Sequence, residues 1–112
     1  FAGGQKQNHL NMVPYGVDGY MSTFINFMPT VTHEYWQAVQ GQDWHKASQV
    51  IRDYDTPFFD FIREMPGGSN AGEHAVLELF GIAKRWRRKP YDSPSDEEME
   101  RLADFFKSRG WL

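Results

Sequence analysis

Hydrophobic and polar positions fall into short blocks along the 112-residue chain. Residues 20–27 form an uncharged run rich in aromatic and β-branched side chains, opened by Gly19 and followed by Pro29. That composition predicts a strand buried on both faces. Gly16, upstream, can take the left-handed conformation that stops a helix. Pro29 lacks a backbone donor and ends the strand. Thr30 or Thr32 is placed to cap a following helix. Helix, glycine, buried strand, proline, helix is the order of an α/β unit on a parallel sheet. Ser22 and Asn26 lie toward the strand's carboxyl end, where α/β folds hold ligands.

The flanking pattern is helical. Residues 1–4 read as a strand end running into a glycine turn. Residues 7–15 predict a short helix with Leu10 and Val13 on one face, its last turn distorted by Pro14. Residues 31–40 predict an amphipathic helix that buries Tyr35, Trp36 and Val39, with Gly41 as the stop. Asp43 can cap the next helix, in which Trp44, Ala47, Val50, Ile51 and Tyr54 recur at three- and four-residue spacing. Pro57 forces a boundary or kink near Asp55 and Thr56. Phe58, Phe59, Phe61 and Ile62 make the most apolar patch, and residues 65–69 are a loop by composition. Asn70 with Glu73 approaches a capping box for a helix that buries Val76, Leu77, Leu79 and Phe80 and stops at Gly81. Residues 83–94 form a basic, proline-punctuated connector. Ser95 and Glu98 make a full capping box, the strongest local signal in the chain. Met99, Leu102, Ala103, Phe105 and Phe106 follow at helical spacing, and Lys107 and Arg109 suit the helix dipole. Gly110 closes this helix, with Trp111 and Leu112 folding back.

Composition narrows the class. Hydrophobic residues are 40% and charged residues 24%, so a packed globular core is expected and extended disorder is not. One small domain fits the length; a complete (β/α)8 barrel needs about 250 residues. A net charge of −3 calls for neither nucleic acid nor an anionic membrane as partner. With no cysteine, disulfides, thiolate catalysis and cysteine-held zinc are excluded. No apolar run approaches the roughly 20 residues that span a bilayer. The first residues carry no secretory pattern, and a cytoplasmic location is the expectation. A chain that opens at a strand end, on Phe1, reads as a piece of a longer protein.

Several of these features together resemble a known family. Gly16, the segment Gly19-Tyr20-Met21-Ser22, Asn26 and Pro29 resemble the last barrel strand of the dihydrodipicolinate synthase/N-acetylneuraminate lyase family. Phe1-Ala2-Gly3-Gly4 is similar to the end of the seventh strand. Pro57 and the apolar residues after it resemble a proline-bearing helix of that family, and Leu79-Phe80-Gly81-Ile82 a helix end. Lys89-Pro90 stands where Arg-Pro is common. Ser95 to Glu98 and Gly110-Trp111-Leu112 resemble the start and finish of the last helix. The likeness covers the whole chain and only the last part of the family's fold.

The resemblance implies a carboxyl-terminal fragment of a (β/α)8 TIM barrel, with the last βα units in residues 1–40 and an α-helical bundle in residues 41–112. The chain as given would be mostly α. It implies a parent lyase, a class I aldolase or dehydratase, that handles pyruvate or a related 2-oxo acid through a lysine Schiff base, with no other cofactor, and that is a homo-oligomer. The family's imine lysine, proton-shuttling tyrosine and carboxylate-binding Gly-Thr-Thr/Ser loop belong to earlier strands. None has a counterpart here, so no catalytic residue is assigned and these residues alone are expected to be inactive. What carries over is substrate contact at Gly4, Met21 and Ser22. Gln5 and Lys6 replace acidic residues common after the seventh strand, and an extra cation there would suit a more anionic substrate. Asn26 is assigned a structural role in the loop before Pro29.

Other residues favour plainer readings. Lys6, in a polar Gly-Gln-Lys-Gln-Asn context, lacks the burial or neighbouring cation that would activate an amine, so it reads as a solvated loop lysine. His9, His33, His45 and His74 show no metal-binding spacing and read as exposed helical residues. The run 84–89 sets Trp86 among cations, a possible nucleic-acid, phosphate or carboxylate contact. The nearby Asp92, Asp96, Glu97, Glu98 and Glu100 favour a solvated, partly paired connector. Trp36, Trp44, Phe58, Phe59 and Phe61 are assigned to the core. Helices that normally cover a barrel would expose apolar faces without it, which predicts self-association or altered packing. The alternative function is a non-enzymatic helical interaction module, using the patch around Phe58 or the connector as its surface.

Overall fold

A computed structural model describes residues 1–112. Helices dominate it: α1 (Gln5–Met12), α2 (Pro29–Gln40), α3 (Trp44–Val50), α4 (Thr56–Arg63), α5 (Gly68–Leu79) and α6 (Asp96–Ser108). Short 3-10 turns stand at Val13–Tyr15 and Phe24–Asn26, and a π-helical turn at Ile51–Asp55. The chain divides inside α4 into two units, Phe1–Phe59 and Asp60–Leu112.

The strand expected over residues 20–27 does not form. In the first unit a single parallel bridge joins Ala2 to Tyr20. Ala2 N donates to Gly19 O at 2.9 Å and Met21 N to Ala2 O at 3.2 Å. Past Ser22 the backbone coils. Thr23 N donates to the Gln5 side chain at 3.1 Å, and Phe27 N and Met28 N both donate to Phe24 O. Every backbone donor needs an acceptor, and here a side chain and local carbonyls supply them in place of a ladder. The aromatic run is buried as expected, but at helical spacing: Phe24 and Phe27, three residues apart, pack with ring centroids 5.0 Å apart.

Pro29 occupies the first turn of α2, where its missing donor costs nothing. The helix therefore starts before Thr30 and Thr32, and neither caps it; the capping position is Met28. Asp43 caps α3 as expected, accepting from Lys46 N at 3.0 Å. Pro57 marks a boundary, but as a change of winding rather than a break. The turn before it widens, and Thr56 N reaches back five residues to Ile51 O. Phe24, Val31, Tyr35, Val50 and Phe58 form the centre of this unit. Trp44 is a correction: it stands at the first position of α3 and is 43% exposed. Trp36 is half-buried.

The second unit packs the end of α4, α5 and α6. Gly72 of α5 lies so close to Ile62 that an added Cβ would stand 2.4 Å from the Ile62 Cβ. Asn70 is not a cap, because Gly67 and Gly68, both at positive φ, begin the helix before it. The capping box at α6 forms as expected: Ser95 Oγ accepts from Glu98 N at 3.2 Å and Glu98 Oε2 from Ser95 N at 2.8 Å. Phe61 stacks on Phe105 at 4.3 Å, and Trp111 folds back with its N–H on Phe106 O. In the connector, Arg85 pairs with Glu78 and Asp96, and Arg87 lies over the Tyr91 ring. Of the patch from Phe58 to Ile62, taken from sequence as a possible docking surface, Phe58 and Ile62 are fully buried and Phe59 and Phe61 half-buried.

Candidate functional site

The segments that carry Gly4 and Ser22 are held side by side. Gly4 adopts φ +81°, and Gln5 follows at φ +66°, a conformation strained for a residue with a Cβ. Two bonds hold Gln5 there: its Nε2 donates to Thr23 Oγ1 at 2.8 Å and its Oε1 accepts from Thr23 N. Gln5 and Thr23 adjoin Gly4 and Ser22, so this clasp fixes both segments. Ser22 Oγ lies 2.9 Å from Thr32 Oγ1, and the Met21 side chain is 72% exposed.

Lys6 corrects the sequence reading. It is fully buried rather than solvated, with Nζ 2.8 Å from Asp55 Oδ1 and 4.4 Å from the Phe24 ring centre. Burial pulls the ammonium below the usual lysine range, and Asp55 partly restores it. Burial likewise pushes the Asp55 carboxyl up, against the pull of Lys6. Asp55 Oδ2 has no hydrogen-bond partner. Lys6 therefore offers no free cation to a substrate. The signal for this pair was present in the sequence. Asp55 follows Ile51 by four residues and precedes Phe58 by three, which sets a carboxylate on an apolar helix face, where it requires a cation.

His9 is a second correction, since it is buried rather than exposed. Its Nδ1 lies 2.7 Å from the Tyr35 hydroxyl, which donates to the Lys6 carbonyl oxygen at 3.1 Å. The tyrosine proton is committed to that carbonyl, so Nδ1 carries a proton and donates to the phenol oxygen. Burial lowers the His9 pKa and favours the neutral ring. The ring packs against Tyr20 at 5.0 Å and Trp36 at 5.9 Å. The Tyr20 hydroxyl is buried without a hydrogen bond of ordinary geometry, and burial pushes its pKa up. His33 and His45 are exposed, and His74 is half-buried. The cluster packs α1, the Tyr20 segment and α2 together.

No family model matches the chain. Among curated proteins it is similar to several dehydratases. It is 26% identical over 111 residues to a probable 5-dehydro-4-deoxyglucarate dehydratase of Saccharopolyspora erythraea, covering 96% of this chain and 36% of that protein. With the 5-dehydro-4-deoxyglucarate dehydratase of Pseudomonas putida it shares 27% identity over 95 residues, 85% of this chain and 31% of the other. A probable enzyme of that name from Xanthobacter autotrophicus is 29% identical over 83 residues, 74% of this chain and 28% of the relative. The chain thus spans about a third of the length of these relatives. A dehydratase is a lyase, and the relatives are lyases by name. They are members of the dihydrodipicolinate synthase family, the family whose carboxyl-terminal part this chain resembles.

Proposed function

We propose that these residues are the carboxyl-terminal part of a dihydrodipicolinate synthase-like lyase that acts on a 2-oxo acid through a lysine imine. In this reading residues 1–40 are the last βα units of a TIM barrel and residues 41–112 the helical region that closes it. The imine lysine belongs to another part of the protein. Dehydration is favoured over aldol cleavage because the relatives carry that name, and a keto-deoxy sugar acid of that kind is the substrate class. Gly4, Met21 and Ser22 form part of the wall of the substrate mouth. The parent is a cytoplasmic homo-oligomer and needs neither nucleic acid nor membrane; no helix here is long and apolar enough to cross one.

The observation that carries the proposal is the parallel bridge between Ala2 and Tyr20. It pairs the two segments that would be neighbouring strands of such a barrel, in the direction a βαβ unit requires. The clasp of Gln5 on Thr23 holds them at the end where barrels place their ligands. Of the patch offered by the interaction-module alternative, Phe58 and Ile62 are core and Phe59 and Phe61 are half-buried, which leaves that reading chiefly the connector.

Trapping tests the proposal. The full-length protein is incubated with pyruvate, reduced with borohydride and mapped by peptide mass. A covalent adduct on a lysine other than Lys6 supports the imine mechanism. Absence of an adduct on every lysine overturns it.

A further inference from the structure

A recess beside His9 takes no part in the function proposed above. It lies within the first unit, has a volume of about 360 Å3, and is lined by His9, Asp18, Trp36, Gln40, Gln42 and Trp44 among others. That volume falls within the roughly 300–1,000 Å3 of small-molecule sites. Its polar wall offers several acceptors, with the glutamine amides able to donate as well. With Nδ1 donating to Tyr35, the neutral His9 ring keeps a lone pair on Nε2, and no protein group bonds it. Asp18 adds a carboxylate, and Gln40 and Gln42 add amides. The wall has two indoles and neither a lysine nor an arginine. His9 is itself buried, so only the edge of its ring that lines the recess is open to a ligand.

We propose that this recess binds an uncharged or cationic hydroxylated ring compound of the sugar class. Hydroxyl groups donate to His9 Nε2, to the Asp18 carboxylate and to the glutamine amide oxygens. The apolar face of the ring lies against Trp36 or Trp44, whose flat surfaces bury area at low entropic cost. Anions are excluded, because Asp18 repels them and no cation is present to hold them. The recess thus discriminates against the 2-oxo acids proposed for the mouth, and the two sites take different chemical classes.

The test uses the full-length protein labelled with fluorotryptophan, with its resonances assigned by single Trp→Phe replacements. D-glucose, D-glucosamine and the anionic ring control D-glucuronate are titrated in the millimolar range. The proposal expects shifts of the Trp36 and Trp44 resonances with glucose or glucosamine, none with glucuronate, and none at Trp86 and Trp111 in the other unit. Asp18→Asn and Trp44→Ala should abolish the response while leaving the melting temperature unchanged. Silence with both sugars, equal shifts with glucuronate, or shifts that survive both substitutions would overturn it. Borohydride trapping by pyruvate is indifferent to all these outcomes, so failure here leaves the lyase proposal untouched.

Discussion

Lys6 Nζ meets Asp55 Oδ1 at 2.8 Å across 49 positions of sequence, with both side chains sealed from solvent. The pair ties the turn after Gly4 to the π-helical turn before Pro57. Removing one partner leaves a buried, unpaired charge, a loss of about 3–5 kcal/mol. Lys6→Met should therefore lower the unfolding midpoint in urea sharply. Lys6→Met combined with Asp55→Leu should recover most of that loss, because an apolar pair of similar volume needs no desolvation of charge. A double-mutant cycle measures the coupling.

His9 gives the fold a dependence on pH. Its folded pKa lies below the unfolded value of 6.5, so the unfolded chain binds more protons between the two. The stabilisation is fully present above about 6.5 and is lost as pH falls from there through the folded pKa. His9→Gln should be less stable at pH 8 and flatter between pH 7 and 5. Subtracting the two stability profiles isolates the histidine. A difference that does not change with pH would show that the ring is free to take a proton.

Gly72→Ala should be poorly tolerated. The new methyl would stand 2.4 Å from the Ile62 Cβ and 2.8 Å from its Cγ2. Overpacking of this kind costs about 1–3 kcal/mol or more. Ile62→Ala should not rescue it, since alanine keeps the Cβ that clashes. Thermal melts of the single and double variants check both statements.

Ser95→Ala removes one half of the capping box and should cost about 1 kcal/mol. The loss should be local, with faster hydrogen exchange at the first amides of α6 and little change in α5.

Ser22→Ala addresses the proposed mouth. If the hydroxyl meets substrate, kcat/KM of the full-length enzyme should fall about threefold to tenfold, the effect of one hydrogen bond. The melting temperature should stay nearly constant, because Thr32 is only partly buried and can turn to water.

What the sequence disclosed was chiefly local. Asp43 and the Ser95–Glu98 box are short-range chemistry, and both caps form where the residues indicate. Short apolar runs were ambiguous. Residues 20–27 have strand composition, yet Phe24 and Phe27 also fit one helical face, and no long partner segment pairs with them to decide for a strand. The cap at Asn70 was displaced by Gly67 and Gly68, whose positive φ begins the helix first. Burial of Lys6 and His9 could not be read from their own neighbours, since it depends on Asp55 and Tyr35. Of the candidate contacts, Gly4 and Ser22 belong to segments joined by a clasp through Gln5 and Thr23. Nothing in the local pattern announced that clasp.

The widened turn at Ile51–Asp55 absorbs one residue more than ordinary winding would. Loss of the codon for exposed Arg52 would therefore restore regular pitch and leave Phe58 facing Phe24. Regular winding at the present length would instead swivel α4 by about 100° around its own axis and carry Phe58 away.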